Sequence, residues 1–440
     1  MSINISHLSN GLTVATCTMQ HIDSVALGIW VKVGSRNETS TQHGIAHMLE
    51  HMAFKGTENR TAFSIAADIE NVGGEINATT SIETTSYFAR VLKNDVPLAI
   101  DILSDIMTCS KFDDDELERE KKVVLQEISA AYDAPDDIIF DHFTETAFHH
   151  QPLGRSILGT SQTVQSFTSS DLHSFMSTQY SADRMIVVAA GAVQHEIFLR
   201  EVEHRLGNFC PHSTTIPIDV AHYTGGDFRE SRNLMDTQIL LGFEGIPYHT
   251  HDFYTAQILS TILGGGMSSR LFQEIREKRG LCYSICAFHW GFSDSGLFGI
   301  HAATGQEGLK TLIPIILNEL SNISKNIDEK ELQRALAQYR ANLIMSQENP
   351  VSQAHFIARQ ILLHGRPIPI SETMTLLNLI TPQRTVELAN RLFTNSTPTL
   401  AAIGPIKSLI SFNNLVSALS ASSIPSSSAK KLLKENPSET

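Results

Sequence analysis

Along this 440-residue chain, apolar positions recur at two periods, every second residue in some stretches and every third or fourth in others. Residues 5–8 and 12–19 flank Asn10-Gly11, which predicts a hairpin. Residues 25–33 read as a further strand, closed by Gly34 and Ser35. From 43 to 54 the pattern turns helical, with Ile45, Met48, Leu49 and Met52 on one side. A second helix over 62–71 breaks at Gly73-Gly74, and 75–91 returns to strand alternation. Helices are predicted over 96–108, 114–131 and 137–148, and Asp113 to Asp115 give the 114–131 helix an acidic first turn that suits its dipole.

The two halves echo each other. Residues 175–193 and 388–406 share one layout of helix, polar turn, apolar strand and glycine, and the strands at 25–33 and 237–243 form a second matched pair. The fold class expected is α+β: two homologous sandwich-like domains, each a mostly antiparallel sheet with helices packed on one face. The first domain would span 1–207 and carry the chemistry. A linker at 208–226 contains Pro211 and Pro217, the second domain spans 227–410, and a Ser-rich tail at 411–440 is expected to be partly disordered.

Candidate chemistry sits in the helix at 43–54. His47 and His51 are four apart, so both imidazoles leave one face a turn apart, the reach two ligands of one tetrahedral zinc require. Glu50 lies beside them, placed to address a water on the metal without ligating it; this is the H-x-x-E-H order. With 19 histidines, such a motif arises by chance in roughly one such chain in twenty, so a third ligand must be found elsewhere. His43 and His47 are also four apart, but only the later pair has a glutamate set for base chemistry. The third ligand expected is Glu127, which follows the apolar run Val123, Val124, Leu125; a carboxylate buried there needs a partner. Glu120, seven residues earlier on the same face, could hydrogen-bond a ligand from behind.

With these residues the chain resembles the pitrilysin/insulinase family of inverted-motif zinc peptidases, most closely its branch of catalytic (beta) mitochondrial processing subunits and their bacterial counterparts. His47, Glu50 and His51 match the family's helix motif, and Glu127 stands 76 residues after His51, where that family has its third ligand. The resemblance implies a metalloendopeptidase with one Zn²⁺ per chain, Glu50 as general base and Glu120 behind the ligands. It implies that Arg276 and Tyr283, in IREKRGLCY, assist substrate and transition state; read alone, they would be a charged helix face and a strand core residue. Asn77, Ala78 and Thr79 would belong to an edge strand that substrate extends, and Phe54 would line the pocket just after the cut. Asp137 and Asp141 would hold an arginine two residues before the cut, although the family pattern has Glu at the first position. The second half has GGGMSSRLFQEIREKRG (264–280) where a second motif would fall, and no Gly-Lys-Ser/Thr follows its glycines. A homodimer or a heterodimer with a related chain is implied. The alternatives are a noncatalytic partner subunit of the same family and a general small-peptide-degrading peptidase.

Charge and composition narrow the partners. A net charge of -14 argues against nucleic acid and is compatible with a basic peptide substrate. No apolar run approaches the ~20 residues that cross a bilayer. The five scattered cysteines lack zinc-finger spacing, and the N-terminus lacks a signal or transit pattern. The compartment expected is bacterial cytoplasm, or the mitochondrial matrix if a transit peptide has been removed.

Overall fold

The computed structural model describes residues 3–211, 218–394 and 396–422. The chain divides into two compact units, one comprising 1–222, 292–294 and 337–375, the other 223–291, 295–336 and 376–440.

The first unit is built on a six-stranded sheet of β1 (Ile3–His7), β2 (Thr13–Thr18), β3 (Ser24–Val31), β4 (Glu75–Thr80), β5 (Thr85–Leu92) and β6 (Met185–Gly191). Their order is β1-β2-β6-β3-β5-β4, with only β2–β6 parallel. The stretch 75–91 is therefore two strands, turning at 81–84. Ser81 and Thr84 close the turn through main-chain and hydroxyl bonds, and Glu83 at its tip is held by the Arg36 guanidinium. On one face lie α1 (Ile45–Met52), α2 (Ala62–Glu70), α3 (Val96–Cys109) and α4 (Asp114–Asp133), and α5 (Pro135–Ala147) packs against α4. Leu27, Ile29, Met48, Met52, Ile102 and Leu103 are fully buried in the core between them and the sheet.

The other face is covered too. Ala15, Cys17, Ala26, Trp30, Ile186 and Val188 pack against Ile357, Ala358 and Ile361 of the helix Pro350–His364. Helices on one face alone would have left this second apolar face in water. The first unit therefore also claims residues 337–375, which the sequential boundary 227–410 assigns to the second domain.

The second unit's sheet runs β7 (Gly226–Ser231), β11 (Thr399–Gly404), β8 (Asp236–Glu244), β10 (Gly296–Gly305) and β9 (Ile285–Gly291). Strand for strand, β7-β11-β8-β10-β9 repeats β2-β6-β3-β5-β4, including the single parallel pair. The glycines closing the echoed segments match in conformation: Gly191 has φ 129 and Gly404 φ 134, and a Cβ on either would strike a backbone carbonyl of the neighbouring strand. Of the expected linker, residues 212–217 lie outside the described residues. Of the expected tail, 423–440 lie outside them, while Phe412–Ser422 is a helix that buries Leu415 and Leu419.

Candidate metal centre

The motif helix α1 is only eight residues long, too short to hold itself by its own hydrogen bonds. Its inner face, Ile45, Met48, Leu49 and Met52, is buried, and it packs against α4 and β4. His47 and His51 leave the other side with ring centroids 4.7 Å apart. Glu127 Oε2 lies 3.6 Å from His47 Nε2 and 3.4 Å from His51 Nε2. Two donors on one tetrahedral zinc, each about 2.1 Å from it, stand roughly 3.4 Å apart, so this triad has the spacing such an ion needs. Among the described residues, His47, His51 and Glu127 are the one group of His, Cys, Asp and Glu able to hold a metal ion, with ligand atoms within 4.8 Å of one another. Burial, and then the neighbouring His51, push the His47 imidazole down to about 4, so it stays neutral and available as a donor.

Glu127 is not the buried carboxylate that the apolar run suggested. Its side chain is 41% exposed, and Val123 beside it faces solvent. The stripe of α4 that points inward is Leu117, Glu120, Lys121 and Val124, at spacings of three and four. Glu120 is the buried acid, and it accepts from His51 Nδ1 at 3.0 Å, fixing the tautomer that leaves Nε2 facing Glu127. Its other oxygen meets Lys55 Nζ at 2.7 Å. Burial would push the Glu120 carboxyl up, but the Lys55 and His51 bonds outweigh it and hold it below the usual range. Lys55 was not singled out in the sequence, although it stands four residues after His51; it follows the helix end, where periodicity carries no message.

Glu50 Oε2 accepts from the Thr80 backbone N–H at 2.6 Å. Thr80 ends β4, an edge strand, so its N–H points away from β5. By alternation the N–H of Ala78 points the same way, and Asn77 Oδ1 accepts from it at 2.8 Å. The side chains of Asn77 and Thr79 are exposed, whereas Ala78 is buried. Phe54, just past α1, is half-buried against the core. His43, the spare histidine, bonds the Ser156 carbonyl through Nε2 at 2.7 Å and takes no part in the triad.

Asp141 lies on α5 and lines a cavity of about 510 Å³ with Ile128, Ala131, Ile138 and Arg155. Burial raises its carboxyl above the ordinary value against the Ser156 hydroxyl bond, and Asp137 one turn away adds to the rise. Asp137 itself is exposed. In the second unit, Tyr283 is 85% exposed and is no strand core residue. The Arg276 guanidinium stacks 5.2 Å from its ring and 4.6 Å from that of Phe272.

Residues 13–161 match the family described as insulinase (peptidase family M16), and 166–339 match the peptidase M16 inactive domain. An uncharacterized zinc protease of Rickettsia felis is 41% identical over 92% of this chain and 98% of that protein. The mitochondrial-processing peptidase subunit beta of Neurospora crassa is 33% identical over 92% and 88%. A protease from Helicobacter pylori, known from its crystal structure, superposes with a TM-score of 0.84 at 23% identity, covering 92% of this chain and 99% of that one.

Proposed function

Because this chain belongs to the insulinase family, peptidase family M16, whose zinc protease members it matches along nearly its whole length, we propose that it is a metalloendopeptidase using Glu50 as its base. The observation that carries this reading is the convergence of His47, His51 and Glu127, with Glu50 anchored beside them on the last residue of an edge strand. Zinc held by that triad supplies a Lewis acid that polarises the scissile carbonyl and acidifies water.

The protein's own groups supply the rest. β4 receives the peptide as an added strand through the outward backbone groups around Ala78, and Asn77 Oδ1 gives up the Ala78 N–H as it does so. The Thr80 N–H keeps the Glu50 carboxylate at the end of that strand, where it takes a proton from the attacking water and returns it to the leaving amine. Phe54 lines the pocket just after the cut. Arg276 and Tyr283, stacked and clear of the second unit's core, serve substrate and the developing negative charge. Asp141 in its cavity, with Asp137, favours basic, presequence-like peptides bearing arginine two residues before the cut. The word subunit in the processing-peptidase relatives' names supports a working unit of two chains, copies or relatives, which light scattering of the purified protein tests.

Glu50→Gln tests the base. Expected is a 10²- to 10⁴-fold loss of peptide turnover, a range typical of general bases, with zinc content unchanged. Near-normal cleavage by the zinc-loaded variant would refute the assignment.

A further inference from the structure

The entry to α1 is held by residues outside the metal triad. Glu38 is 3% exposed, and its two carboxylate oxygens accept from the backbone N–H groups of Gly44 and Ala46, each at 2.9 Å. These buried donors at the helix start have no turn before them to bond. Glu38 is in turn fixed by Arg155, whose Nη1 donates to its main-chain carbonyl at 2.8 Å.

The opposite side of the same entry is clamped by residues 156–163. His43 bonds the Ser156 carbonyl, and Thr163 Oγ1 donates to the His43 carbonyl at 2.7 Å. Gly44 has φ 94 and lies against Gly159: a Cβ on Gly44 would come within 2.7 Å of Gly159 Cα, and one on Gly159 within 2.5 Å of the His43 carbonyl oxygen. His47 follows three residues after Gly44, so a shift at the entry moves a ligand directly.

We propose that Glu38 is a positioning residue, which, with the Gly44–Gly159 contact opposite it, sets where α1 begins and so the spacing of His47 and His51 at the metal. This rests on the zinc reading above. Ligand geometry must be held to about 0.5 Å by its surroundings, and an eight-residue helix cannot do so alone.

The test is zinc affinity by competition with a chelator, with the visible absorption of the cobalt(II)-loaded protein as a reporter of ligand geometry. Glu38→Gln and Gly159→Ala should each weaken zinc at least tenfold and alter the cobalt spectrum, while Glu38→Asp, which keeps both carboxyl oxygens, recovers part of the affinity. Binding within twofold of the parent, with an unaltered spectrum, in the Glu38→Gln and Gly159→Ala proteins overturns the proposal. If Glu38→Gln does not fold by circular dichroism, Gly159→Ala and Arg155→Met carry the same two outcomes. The parent and a His51→Ala control separate the two readings: a parent that binds no zinc, or a control that binds it equally, fails the metal centre rather than the role of Glu38.

Discussion

Glu120 and Glu127 stand two turns apart on α4 and meet the same imidazole through opposite nitrogens, Nδ1 and Nε2. That division separates orienting a ligand from being one. Glu120→Ala should therefore raise the zinc dissociation constant about 10- to 100-fold while leaving the triad intact, as chelator competition would read. His289, far along the sequence on β9, shows the same chemistry in a structural role. Its Nε2 accepts from the Ile246 N–H at 2.9 Å, and burial pushes the imidazole down to about 4. The native state then binds fewer protons than the unfolded chain between about 6.5 and 4, so this contribution is complete above 6.5 and is lost as pH falls toward 4. It amounts to roughly 3 kcal/mol at most, one pH unit being about 1.4 kcal/mol. Denaturant midpoints at pH 7 and 5 should differ less in His289→Gln than in the parent; equal slopes would contradict it. That His47 and His51 leave one face of α1 was legible because a four-residue helical spacing is a local fact. The exposure of Glu127 was not, because the inward stripe of α4 depends on what packs against it.

At the level of elements, α5 follows α4 almost without a break and sets Asp137 one turn before Asp141, which lines the cavity. On the proposed reading, the parent cleaves faster with arginine two residues before the cut, and an Asp137→Asn/Asp141→Asn double variant should not. Cleavage rates on paired Arg- and Ala-containing peptides measure this, and unchanged ratios would sink the assignment. The body of helix α5 was readable from periodicity, although it starts at Pro135, two residues before the 137 expected. The hairpin of β4 and β5 was not, since Ser81, Ile82, Glu83 and Thr84 include no Gly, Pro, Asn or Asp. That turn is held from outside, by the Arg36–Glu83 ion pair and by Ser293, whose N–H donates to Glu83. No local pattern announces a partner more than two hundred residues away.

On the scale of the whole molecule, the repeat of sheet order across the two units was foreshadowed by the echo of 175–193 in 388–406, down to its closing glycines. Which unit owns the helix Pro350–His364 was not, because amphipathic periodicity says that a face is buried and not against what. A fragment ending at residue 222 should consequently be poorly soluble: it bares Trp30, Ile186 and Val188, which that helix covers. Adding residues 337–375 as a separate peptide should raise the soluble yield, and a fragment that is monomeric and well folded without them would count against this.

The same discontinuity sets a timetable during synthesis. β6 is finished at Gly191, yet the last residue of the covering helix is His364. At about 5–20 residues per second, the ribosome leaves that sheet half dressed for roughly ten to thirty seconds, an interval in which a nascent chain of this kind has most need of a chaperone.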